Sequence, residues 1–207
     1  KSFYKGIAID NVASVVNDIS ASGATPINFM LMITAANSHW FSQEQRNTDL
    51  INGTVEACNQ ARCTWGGGET QTLEDVVENG RVALSGTAWG LKIASSNPIY
   101  NSQNLAENQT IILVESSGVG TNGITLLRKN LLDRLPKGYD TLLPDGSTYG
   151  EALLTPSFIY SHLIDTLITE NCPISYIANI TGHGWRKIMR AQKELTYVID
   201  KIPKPQP

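Results

Sequence analysis

Three carboxylates and three glycine-rich stretches are the places where this chain could do chemistry. Glu69 directly follows Gly66, Gly67 and Gly68, and Asp10 and Asp18 stand eight residues apart in or beside one predicted helix. Carboxylate oxygens are what magnesium takes as ligands, and two residues slightly over two helical turns apart share a side. Glycine lets backbone N–H groups come close to an anion, most effectively at a helix N-terminus. The other stretches run through Ser116, Ser117, Gly118, Val119 and Gly120, and through Thr181, Gly182, His183 and Gly184. Each is expected to join a strand to the next element. Together they fit a polyphosphate held as its magnesium complex. Singly each also reads as an ordinary turn, and Asp10 and Asp18 also read as a helix-start residue and a solvated one. Asp18 is the better metal candidate, because Val15, Val16 and Ile19 around it are apolar.

Of the three histidines, His39 beside Trp40 reads as a surface or packing residue and His162 as a partly buried helix residue. His183, between two glycines after a predicted strand, is the candidate for acid–base work or for contact with an anionic substrate. No glycine stretch matches a P-loop or a dinucleotide fingerprint. No Ser/His/Asp arrangement or H-E-x-x-H motif is present, which argues against a hydrolase or a zinc enzyme.

The chain has 207 residues, 41% of them hydrophobic, enough for one large domain or two modest ones. A net charge of −3 argues against general nucleic-acid binding. No apolar window is long enough for a transmembrane helix, and residues 1–5 do not lead into the apolar region of a signal peptide. Cys58, Cys63 and Cys172 have no zinc-like spacing and are odd in number, as expected of buried free thiols in a reducing cytoplasm.

The elements that would position these residues alternate between helix and strand, so the class is α/β or α+β. Val12, Val15, Val16 and Ile19 mark one face of a helix over 11–22, with Gly23 as its C-cap. Residues 27–33 are almost all apolar and read as a strand buried on both faces. Ser42 and Gln45 form a capping box for a helix carrying Leu50, Ile51, Val55, Cys58 and Ala61. The glycine triplet 66–68 comes next as a loop, and 82–93 reads as a strand. The polar stretch 95–108 is taken as the boundary between domains 1–97 and 98–207. Beyond it come a strand at 110–114, an amphipathic helix at 124–135 and a turn at 143–146. A helix from Thr155 to about Glu170, a strand at 174–180 and a last helix complete the sequence.

Five segments, in order, carry a family likeness. Val16, Asn17, Asp18 and Ile19, continuing to Gly23, Ala24, Thr25 and Pro26, resemble a "VNDL…GAEP" junction. Gly66 to Thr70 resembles "GGETAEM"; Ser116, Ser117 and Gly118, then Asn122, Gly123, Arg128 and Lys129, resemble "SSGxHSNGYSLxRK". Leu153, Leu154, Pro156, Ile159 and Tyr160 resemble "LLxPTRIY", and Ile180, Thr181, Gly182 and Gly184 match part of "HITGGG". The pattern is that of the aminoimidazole ribonucleotide synthetase (PurM-like) superfamily, nearest its cyclo-ligase branch.

The resemblance implies a PurM-like two-domain fold, with an N-terminal sheet that pairs with a second copy in a dimeric barrel and a C-terminal mixed α/β domain. It implies a cytoplasmic, homodimeric, ATP-dependent ligase of purine biosynthesis. In that chemistry ATP phosphorylates the amide oxygen of formylglycinamidine ribonucleotide, and ring closure expels phosphate. Carried over by position, Asp18 and Glu69 would hold magnesium; Asn17, Gly67, Gly68, Glu69 and Thr70 would hold ATP. Ser117, Gly118, Asn122, Gly123, Thr181 and Gly182 would line the substrate side. The family's "DGVGTK" strands and the end of its second domain have no counterpart here. Thr121 and Asn179 stand where the family has histidines, and His183 where it has a glycine. A sister ATP enzyme of the superfamily, such as selenophosphate synthetase or thiamine-phosphate kinase, and a non-catalytic binding fragment are the alternatives.

Overall fold

The computed structural model describes residues 3–92, 100 and 102–204. Its main elements are α1 (Tyr4–Ala21), β1 (Thr25–Ala35), α2 (Glu44–Ala61), β2 (Thr64–Thr72), β3 (Val82–Leu91), α3 (Ile124–Leu126), α4 (Tyr149–Leu153) and α5 (Ser161–Thr169). They fall into two compact units, Lys1–Ile99 with Ile159–Cys172, and Tyr100–Phe158 with Pro173–Pro207. The expected boundary at 97/98 lies outside the described residues.

In the first unit three strands form a mixed sheet in the order β2-β1-β3, with β1 parallel to β2 and antiparallel to β3. Parallel neighbours need a crossover, and α2 supplies it. Ile9, Val12 and Val16 of α1, Phe29 and Leu31 of β1, and Ala57, Cys58 and Ala61 of α2 make one core. A second cluster joins Ala8, Ala35, Trp40 and Leu50. The two helices approach closely at Gly53, where an added Cβ would strike the Lys5 carbonyl and crowd the Ala8 methyl. Beyond Leu50, small residues therefore form the buried face of α2, while Ile51 and Val55 point to solvent. The last segment of the unit is pinned to α1 by buried Ser20 Oγ–H donating to Ser161 Oγ at 3.0 Å.

Several expected elements shift. The apolar period of α1 runs back through Ile9 and Ala8, so the helix starts at Tyr4 and places Asp10 mid-helix and buried. β1 is buried on one face only: Met30 and Met32, each 39% exposed, alternate with core residues Phe29 and Leu31. Ser42 does not cap α2; its hydroxyl donates to the His39 carbonyl within a 3-10 turn, and the helix begins from Gln43 without a side-chain cap.

In the second unit the expected helix at 124–135 forms as successive α, π and 3-10 turns ending at Arg134. The turn at 143–146 forms, closed by Gly146 N–H to the Leu143 carbonyl at 2.9 Å. α4 carries a capping box of Thr148 and Glu151. The expected helix from Thr155 begins instead at Ser161. Segments 110–114 and 174–180 add no strand to the sheet. Strands need neighbours to satisfy their backbone groups, and Ile112 is left 81% exposed. Among the described residues no helix is long and apolar enough to cross a membrane.

Candidate functional site

The glycine triplet is a bulged strand, where the sequence suggested a loop. Trp65 pairs with Phe29 and Gly67 with Met30, which leaves Gly66 as the extra residue of β2. A Cβ on Gly66 would collide with the Asn28 amide, and one on Gly68 with the Leu31 carbonyl, so sheet packing demands both glycines. Gly67, at φ 131°, faces open space, with nothing within 4 Å of where a Cβ would stand. Its carbonyl accepts the Trp65 indole N–H at 2.8 Å. Glu69 pairs with Met32 and shares the open face of the sheet with Gln71, whose amide donates to Thr34 Oγ1 at 3.0 Å. Glu69 and Thr70 are exposed.

Asp18 is also exposed, but on α1, in the helix layer that covers the opposite face of the sheet. The first unit therefore sets Asp18 and Glu69 on different layers. Asn17 is buried, and its Oδ1 accepts the Tyr160 backbone N–H at 2.9 Å. Among the described residues no three or more His, Cys, Asp or Glu side chains converge as a metal cage.

In the second unit the turns expected on the substrate side do come together. A Cβ on Gly182 would lie 3.3 Å from Asn122 Oδ1, and one on Gly118 would lie 3.8 Å from the Thr155 Cβ. The loop from Ser117 to Gly123 is thus flanked by Gly182 on one side and by Thr155 and Ser157 on the other. Sequence reasoning missed Thr155 and Ser157; the signal was a Thr-Pro-Ser run just past a capped helix. Thr181 to Gly184 is a tight turn, with Gly184 N–H donating to the Thr181 carbonyl at 2.7 Å. His183 is exposed at the start of the 3-10 turn Gly184–Arg190. His39 is exposed as expected, whereas His162 is exposed beside Arg62 at 3.4 Å.

Residues 2–92 match the family model described as AIR synthase related protein, N-terminal domain. The chain is 33% identical over 202 residues to the phosphoribosylformylglycinamidine cyclo-ligase of Desulfatibacillum aliphaticivorans, covering 97% of this chain and 52% of that protein. It is 36% identical over 184 residues to the chloroplastic cyclo-ligase of Arabidopsis thaliana, covering 86% and 44% respectively. The E. coli hydrogenase maturation protein HypE is similar in structure at a TM-score of 0.48 and 18% identity, over 81% of this chain and 44% of that one. The chain spans about half the length of the curated relatives it matches.

Proposed function

From the match of residues 2–92 to the AIR synthase-related N-terminal domain, we propose that this chain belongs to that family and is part of an ATP-dependent cyclo-ligase that makes aminoimidazole ribonucleotide. The observation that carries this reading is the 33% identity to a cyclo-ligase along 97% of the chain. In the proposed reaction the γ-phosphoryl of ATP moves to the amide oxygen of formylglycinamidine ribonucleotide, releasing ADP. The amidine nitrogen then attacks that carbon, the carbon–oxygen bond breaks, and phosphate leaves as the ring closes with loss of a proton. Positioning and charge stabilisation supply most of the rate in such transfers.

Glu69 and Asp18 are the proposed oxygen ligands; because they lie on different layers of the first unit, each would hold its own magnesium accompanying ATP and neutralise phosphate charge. Gly67, whose backbone is open to approach, is the proposed contact for the polyphosphate, with Gly68, Thr70 and Asn17 shaping its surroundings. Ser117, Gly118, Asn122, Gly123, Thr181 and Gly182 are proposed to line the substrate, with His183 placed to give or take a proton. Three free cysteines suit a reducing compartment, and the cytoplasm is the location we infer.

The open face of the sheet supports a homodimer. Met30, Met32, Trp89 and Leu91 are exposed on strands whose other face is core, and such an apolar surface favours a covering partner. We assign the cover to the sheet of a second copy. A coupled assay of ADP release tests the catalytic reading: release should require both magnesium and formylglycinamidine ribonucleotide. ADP release indifferent to that substrate would point to a sister enzyme instead.

A further inference from the structure

The end of α2 brings together two cysteines that the proposed ligase chemistry does not use. Arg62 takes the left-handed conformation, at φ 55°, and reverses the chain. Its N–H donates to the Asn59 carbonyl at 3.1 Å, and the Cys63 N–H to the Cys58 carbonyl at 3.0 Å. This pair of bonds is a Schellman cap, in which the residue after the reversal lies against the one five positions earlier. Cys58 is 3% exposed in the core, and half-buried Cys63 packs against the same cluster. The two side chains lie close enough for each to shift the ionisation of the other. A disulfide requires Cα atoms about 4.4–6.8 Å apart, and the cap folds residue 63 back onto residue 58.

We propose that Cys58 and Cys63 are an oxidisable dithiol that peroxide closes into an intramolecular disulfide at the junction of α2 and β2. Their roles differ. Donation from the Cys58 thiol holds the Cys63 thiol below its ordinary pKa, outweighing the burial that acts against it. Cys58 is pushed upward by the same hydrogen bond, then by burial and by the charge on Cys63. Cys63, the more accessible and the more readily ionised, is therefore the attacking thiolate. Its sulfur takes the proximal oxygen of the peroxide, the O–O bond breaks, and hydroxide leaves to become water. The Cys58 sulfur then attacks the sulfenic sulfur, gives up its proton, and expels the second oxygen as water. Two thiols lose two electrons, and one peroxide becomes two waters. The bond would tie the end of α2 to the residue before β2, the strand that carries Gly67 and Glu69.

The chain contains its own control. Cys172 follows α5 in the same cap, with Asn171 left-handed at φ 53° and the Cys172 N–H donating to the Leu167 carbonyl at 2.9 Å. A leucine occupies the position that Cys58 holds in the other cap, so Cys172 has no thiol to close on there.

The test is a non-reducing tryptic map after treatment with hydrogen peroxide and alkylation. Arg62 separates the two cysteines, so closure yields peptide 47–62 linked to 63–81, or an uncleaved 47–81 lighter by two hydrogens. We expect this species to exceed any pair involving Cys172 by roughly tenfold or more, as for partners held at high effective concentration. Cys63→Ser should abolish it while leaving Cys172 alkylated. Individually alkylated Cys58 and Cys63 after oxidation would overturn the proposal. The same pairing in equal yield from chain unfolded in urea would also overturn it, because the cap would then contribute nothing.

Discussion

Gly66, Gly67 and Gly68 stand side by side in β2 and answer to different neighbours. The Asn28 amide excludes a side chain at Gly66 and the Leu31 carbonyl excludes one at Gly68, while Gly67 is required by its backbone angle alone. Gly67→Ala should thus cost about 1–3 kcal/mol of conformational strain. Gly68→Ala should cost more, on the order of 3–5 kcal/mol, because overpacking adds to the strain. Denaturant unfolding of both variants measures the difference; equal losses would contradict the close approach to Leu31. At this scale the sequence was legible in residue type and misleading in conformation. A glycine triplet reads as a loop by composition, and only the pairing with β1 identifies it as a bulged strand. Asp145 offers a test of charge. The Ser147 hydroxyl and N–H donate to its carboxylate at 2.7 and 2.9 Å and hold its pKa below the usual aspartate value. The support this gives the turn is present above the unfolded value of about 3.9 and is lost as pH falls through the folded one. Ser147→Ala should move the Asp145 titration upward by NMR, and an unmoved titration would remove the hydroxyl as its cause.

At the scale of elements, legibility followed the completeness of the local signal. The α1 period was visible from Val12 onward and extends to Ala8 once the packing of Gly53 is known. β3 was read to within two residues, because alternation and β-forming residues agreed. The start of α5 was misplaced, since Pro156 suggested a first helical turn that the chain delays to Ser161. The start that does carry a full signal lies before it. Thr148 Oγ1 accepts the Glu151 N–H at 3.2 Å, and the Glu151 carboxylate accepts the Thr148 N–H at 3.3 Å. Thr148→Ala should cost about 1 kcal/mol, read from thermal melting, with little change for Ser42→Ala, whose hydroxyl caps nothing in α2. A larger loss at Ser42 would reverse that assignment.

On the scale of the whole molecule, a single sequence cannot say which face of a strand is covered. The run 27–33 is almost all apolar, so it reads as buried throughout, yet Met30 and Met32 stay open. We propose that a second copy covers this exposed apolar surface. If a second copy covers it, Trp89→Glu, at a position 61% exposed beside Asn28, should shift the protein from dimer to monomer in sedimentation while leaving the fold intact. A monomeric unaltered chain would remove the barrel reading. Of the residues picked out by motif, those in the loop from Ser117 to Gly123 do meet Gly182. Asp18 and Glu69, by contrast, share a motif pattern and not a layer, which spacing along a chain cannot reveal.

We propose that this chain binds ATP with magnesium, and that Asp18 and Glu69 each contribute a carboxylate from its own layer. Calorimetric titration of ATP, with and without magnesium, into the unaltered chain, Glu69→Gln and Asp18→Asn tests it most directly. Binding should depend on magnesium, and each substitution should weaken it by about tenfold or more, the loss of one charge-assisted contact. Binding that is indifferent to magnesium, or unchanged in both variants, would contradict it.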